Sequence, residues 1–171
     1  VTTATSNIGI GSTALDSITT GDYNVALGDN AGTAISTGSN NIALGASAMY
    51  QGVVTGNYNI AIGGSSLRYL TSGTSNVAIG INSLEQNTTA SNNTAVGMSA
   101  LVANTTGASN VAIGALSLDA NTTGASNVAI GWNSMTSNTT ASENTAVGQS
   151  SLGLNTTGSR LSAVGKGALG A

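Results

Sequence analysis

The sequence predicts an all-β fold, a parallel β-solenoid, and three observations carry that prediction. A glycine closing the pattern Asn-x-Ala-x-Gly returns at Gly11, Gly28, Gly45, Gly63, Gly80, Gly97, Gly114, Gly131, Gly148 and Gly165, always 17 residues on except for one step of 18. The residues before each glycine alternate in type with a period of two, the periodicity of a strand. Seventeen residues are also too few for the helix pairs of repeat proteins, which need about 33 per unit. The chain of 171 residues is therefore one solenoid segment, 1–171, of ten coils, each pairing in parallel with the next. At about 4.8 Å per strand the stack is a rod on the order of 50 Å long.

Each coil begins four residues before its anchor glycine, with Asn7, Asn24, Asn41, Asn59, Asn76, Asn93, Asn110, Asn127 and Asn144, and with Leu161 in the tenth. Asparagines stacked in register hydrogen-bond to the copies above and below, so this column predicts a ladder. Next comes Ile or Val, replaced by Thr94, Thr145 and Ser162, then Ala with Gly9 as the one departure, then Ile, Leu or Val. The alternation sends the large aliphatics to one face and the alanines to the other. The expectation is that Val111 and Ile113 fill the core while the alanines form a flat outer face of small residues.

Four residues past the anchor stands a second apolar column, Leu15, Met49, Leu67, Leu84, Leu101, Leu118, Met135, Leu152 and Leu169, broken by Gly32. It is expected opposite the aliphatic column. Asn-Thr-Thr-Gly or a variant such as Ile18-Thr19-Thr20-Gly21 then reads as a second short strand ending in a turn. The one extra residue lies in the segment 50–56 and belongs to a loop, because the register resumes at once.

Composition narrows the function. The net charge of −3, from six acids against Arg68, Arg160 and Lys166, offers neither a basic footprint for nucleic acid nor a polybasic membrane patch. No apolar run approaches the roughly 20 residues of a membrane span. Forty per cent of residues are hydrophobic and they stand in strict register, which argues against disorder despite the Gly, Ser, Thr and Asn content. Val1-Thr2-Thr3 shows neither an initiator Met nor a signal peptide, and neither end carries an atypical capping unit. The segment accordingly reads as an internal piece of a longer fibre protein.

Catalysis is not expected. Without His or Cys there is no triad base, no thiolate and no zinc or transition-metal site, and no cofactor is called for. Asp16, Glu85 and Asp119 share a column in non-adjacent coils and read as solvated charge rather than as the paired carboxylates of a glycosidase. The per-repeat Asp of calcium-binding solenoids is missing, and the glycines recur at the solenoid period instead of opening a helix.

A single thin stack is poorly supplied with burial. Three aliphatic side chains per coil contribute roughly 5 to 9 kcal/mol, and about ten ladder bonds add about 10 kcal/mol. Ordering 17 residues opposes them with about 17 kcal/mol at least. Another buried surface is needed, and the alanine face, or the aliphatic one, is expected to pack around the axis of a homo-oligomer.

The units Asn76-Val77-Ala78-Ile79-Gly80, Asn110-Val111-Ala112-Ile113-Gly114 and Asn127-Val128-Ala129-Ile130-Gly131 resemble the head repeats of YadA-like trimeric autotransporter adhesins. That resemblance implies a left-handed β-roll, a homotrimer and a place at the cell surface. The family unit is shorter, so the Asn-Thr-Thr-Gly side is an addition. Asn93-Thr94-Ala95-Val96-Gly97 and Asn144-Thr145-Ala146-Val147-Gly148 are similar to repeats of phage tail fibres, which implies a virion shaft whose receptor binding lies in another domain. The expected function is a structural or adhesive extracellular fibre segment.

Recognition is expected at the positions that do not repeat. Tyr50, Arg68, Tyr69 and Trp132 are the candidate surface-binding residues, suited to a host-surface protein or glycan. Asn76, Asn93, Asn110 and Asn127, with Gly80, Gly97, Gly114 and Gly131, are the structural ladder. Two further expectations attach to Asn-Thr-Thr: Asn87, Asn104, Asn121, Asn138 and Asn155 match glycosylation acceptors, and the threonine files admit an ice-binding alternative, although only one file would face each side.

Overall fold

The computed structural model describes residues 2–170, so Val1 and Ala171, the ends of the repeat count, lie outside the described residues. Ten strands of three residues follow one another: β1 (Ile8–Ile10), β2 (Val25–Leu27), β3 (Ile42–Leu44), β4 (Ile60–Ile62), β5 (Val77–Ile79), β6 (Thr94–Val96), β7 (Val111–Ile113), β8 (Val128–Ile130), β9 (Thr145–Val147) and β10 (Ser162–Val164). They form one parallel sheet in sequence order. Each residue pairs with its counterpart in the next coil, as Ala112 does with Ala129, and the step of 18 is taken between Ile42 and Ile60. The β-solenoid is therefore present, with every coil contacting its sequence neighbours.

The strand faces are the reverse of the expectation. Ala26, Ala43, Ala61, Ala78, Ala95, Ala112, Ala129 and Ala146 are fully buried, while Ile113 is 40% exposed. Across from the alanines the core is filled by Met49, Leu67, Leu84, Leu101, Leu118, Met135 and Leu152. The coil is too thin to hold two large side chains face to face. A methyl group opposite a leucine fits, so the alanines turn in and the aliphatics turn out.

No second strand forms along Asn-Thr-Thr-Gly; outside the named strands the described residues hold one bridge, Ile35 with Val54. The reason lies in the backbone just before it. The residues of the leucine column adopt the left-handed conformation, Leu118 at φ 53 and Met135 at φ 54, and Gly32, the one break in that column, does the same at φ 62. Asn121 N–H then donates to the Leu118 carbonyl at 3.2 Å and closes a turn where a strand would need extended chain. Coil-to-coil bonding continues all the same, as in Thr122 N–H to the Thr139 carbonyl at 2.8 Å.

A left-handed non-glycine residue costs roughly 1 to 2 kcal/mol. In that conformation the leucines and methionines of the column pack in one core with the alanines. Small residues precede them: Ser66, Ser83 and Ser117 are buried, and each donates its hydroxyl to the anchor glycine carbonyl of its own coil, at 2.8 to 2.9 Å. The extra residue is absorbed at 50–53, where Gly52 takes φ 103 and Val53 stands 61% exposed. The register is restored by Gly56, whose carbonyl accepts from Asn41 Nδ2 at 3.0 Å.

Candidate functional site

The ladder residues are scaffold. Asn76, Asn93, Asn110 and Asn127 are fully buried, and each side-chain oxygen accepts the backbone N–H of the next ladder position. Asn110 Oδ1 accepts the backbone N–H of Asn127 at 3.0 Å, and Asn110 Nδ2 donates to the Gly124 carbonyl at 2.9 Å. One amide thus spans the two ends of the next turn and holds it closed. The anchors Gly80, Gly97, Gly114 and Gly131 have φ between 128 and 137, and a Cβ on Gly114 would stand 2.7 Å from the Gly131 carbonyl. No side chain fits between stacked coils at that point.

The Asn-Thr-Thr asparagines make a second internal ladder. Asn87, Asn104, Asn121 and Asn138 are fully buried, and Asn121 Nδ2 donates both to Asn104 Oδ1 at 2.9 Å and to the Gly124 carbonyl at 3.0 Å. In the folded chain these four amides are out of reach of a modifying enzyme. Thr88, Thr105 and Thr122 donate their hydroxyls to carbonyls of the following coil, which leaves the next threonine along, Thr89, Thr106 and Thr123, as the exposed file.

Of the four candidate surface-binding residues, three come together. The Arg68 guanidinium carbon lies 5.8 Å from the Tyr50 ring centre and 5.5 Å from that of Tyr69, within the range of cation–π attraction. Glu85 joins them from the next coil, its Oε1 3.9 Å from an Arg68 terminal nitrogen. All four side chains are half-buried. Glu85 reads in the sequence as solvated charge in one column with Asp16 and Asp119, and the signal for its part in the cluster was its place one coil after Arg68 at the same position.

Trp132 stands apart. It follows the anchor of the β8 coil and is 51% exposed, in one column with the exposed Ile81 and Met98. That column borders the outward face of the sheet, where Val25, Ile42, Ile60, Val77, Val111 and Val128 form one row and Leu27, Leu44, Ile62, Ile79, Val96, Ile113, Ile130 and Val147 form the other, all at least partly open to solvent. The second row is apolar from coil to coil, and the first is interrupted by Thr94 and Thr145, so a largely apolar strip follows the stack.

A hollow of about 320 Å³ is lined by Leu152, Leu154, Asn155, Leu161 and Leu169, continuous with the leucine column of the core. Among the described residues no three His, Cys, Asp or Glu side chains converge in a way that could hold a metal ion. Among the described residues no helix is long and apolar enough to cross a membrane. Comparison of the chain with protein-family models, with curated proteins and with solved structures returns no match.

Proposed function

We propose that the chain is a segment of an extracellular attachment fibre in which three copies pack side by side through the outward aliphatic faces of their sheets. The observation that carries this reading is the apolar strip. Its two rows measure about 45 Å by 10 Å, on the order of 450 Å², as large as the largest apolar patches of ordinary monomers. In the middle coils Ile81, Met98 and Trp132 widen it to about 15 Å, which brings the footprint to somewhat under about 700 Å², against the roughly 800 Å² per partner of a standard interface. The strip runs parallel to the rod axis, so a rotation about a parallel axis covers it on every copy at once. Three copies rather than two is the number implied by the resemblance of the Asn-Val-Ala-Ile-Gly units to the heads of trimeric adhesins.

Light scattering on the purified chain tests the assembly. The expected mass is three times the 16.5 kDa of one chain, and Ile79→Asp with Ile113→Asp is expected to give monomers that keep their β circular dichroism. A wild-type chain that runs as a monomer at all concentrations would remove the reading.

A further inference from the structure

We infer that Tyr50, Arg68, Tyr69 and Glu85 form a binding site for a neutral saccharide. This deepens the attachment reading, and rests on it only for why a fibre would carry such a site. The patch occupies the fifth and sixth positions past the anchor in three successive coils: Tyr50 and Gln51, Arg68 and Tyr69, Glu85 and Gln86. In other coils those positions hold Asp16 and Ser17, Val102 and Ala103, or Asp119 and Ala120, and there the side-chain pairing along the column is the single bond from the Thr136 hydroxyl to Asp119, with no aromatic or cationic side chain beside it. The one departure of the chain from its 17-residue period falls on the same spot. Gln51 N–H donates to the Arg68 carbonyl at 2.8 Å, and the inserted loop rises beside the patch with Val53 exposed.

The chemistry of Arg68 points to an external acceptor. Its Nε is buried without a hydrogen-bond partner among the described residues and is out of reach from outside, so an external acceptor meets the terminal nitrogens of a side chain that is 31% exposed. Its contact with Glu85 at 3.9 Å is longer than a hydrogen bond. A guanidinium carries five N–H donors, and leaving donors unmet in a half-buried place is unfavourable. Tyr50 and Tyr69 fix the guanidinium without accepting from it.

A pyranose supplies what is missing. One hydroxyl accepts from Arg68 and its neighbour donates to Glu85, while the apolar C–H face of the ring lies on a tyrosine. The ion pair carries no net charge, so a carboxylated sugar gains nothing over a neutral one. Three coils at about 4.8 Å give a platform about 10 Å long, the size of one or two sugar rings. The patch also stays open in the proposed assembly. At the Gly32 position a Cβ would touch the Leu15, Ala26 and Ile35 side chains at once, so the segment from the leucine column onward lies across the core from the sheet. Residues facing outward between those core positions are on the side away from the strip.

Saturation-transfer NMR of the 171-residue chain with the methyl glycosides of glucose, galactose, mannose and N-acetylglucosamine tests the site, with sialic acid as the charged comparison. At least one neutral glycoside is expected to bind with a dissociation constant on the order of 1 mM. Tyr69→Ala and the isosteric Glu85→Gln are each expected to weaken it about tenfold or more, while Tyr58→Ala, on an exposed turn elsewhere, leaves it unchanged. If Tyr69→Ala disturbs the coil, Glu85→Gln decides alone. Absence of binding by all four glycosides, binding of sialic acid alone, or binding that both variants leave intact would each overturn the proposal. Light scattering on the same samples reports the assembly separately, so a failed saccharide site and a failed fibre reading are told apart.

Discussion

The oxygen of each ladder asparagine accepts the backbone N–H of the next ladder position, as Asn110 Oδ1 does from Asn127, while the amide nitrogens of Asn24, Asn59, Asn76 and Asn127 also donate back to the asparagine oxygen one coil before. At Leu161 the backbone N–H still donates to Asn144 Oδ1 at 2.9 Å, a bond that requires no amide side chain at the receiving position. The amide of Asn110 does more, because it meets the Asn127 N–H and the Gly124 carbonyl together in a fully buried place. Asn110→Ala leaves the buried Asn127 N–H unpaired and the Gly124 carbonyl with Asn121 Nδ2 alone, and is expected to destabilise the stack by about 1 to 3 kcal/mol, read from urea unfolding followed by circular dichroism. Asn110→Asp restores an acceptor for the N–H but sets an oxygen against the Gly124 carbonyl, so it is expected to rescue little. Rescue by aspartate to near wild-type stability would show that only the acceptor half of the amide matters.

At the scale of the element, the strand is a three-residue unit whose phase decides everything else. Ala112 faces Leu118 in the core, and Val111 and Ile113 face outward. Ala112→Val therefore overfills the coil and is expected to cost about 1 to 3 kcal/mol, whereas Val111→Thr changes the fold of one chain by no more than about 0.5 kcal/mol. Thermal unfolding of the two variants ranks them, and the opposite order would return the aliphatics to the core. The period of two, the asparagine ladder and the anchor glycines were all legible in the sequence because each is a repeated local rule. The phase was not, since a shift of one residue exchanges the two faces while leaving the period untouched. A signal for it did exist. The column of Val111 admits Thr94, Thr145 and Ser162, whose hydroxyls suit a surface, while the column of Ala112 admits only the still smaller Gly9.

The same asymmetry of information governs the rest of the coil. Nothing in a leucine announces a left-handed backbone, so the turn at Leu118 and the lost second strand could not be read from residue types that elsewhere favour helix. Tyr50, Arg68 and Tyr69 were legible as departures from the repeat. Their convergence with Glu85 depends on the stacking register, which brings positions 17 or 18 residues apart into contact.

For the whole molecule, stability is a sum of neighbour terms along one axis, and each described interior coil buries little beyond its leucine, its alanine and an internal asparagine or aliphatic. Side-by-side association is the remaining source of burial, and Trp132 reports on it. As the one tryptophan of the chain, 51% exposed beside the strip, it is expected to lose contact with water when copies assemble. Its emission should shift to shorter wavelength as concentration rises through the association range. The midpoint of thermal unfolding should rise with concentration over the same range, because assembly draws on the folded chain. With nine charged residues in the chain and none in the strip, moderate salt should leave both curves nearly in place. A Trp132 spectrum that stays constant while light scattering reports a larger species would mean that the copies meet through another face.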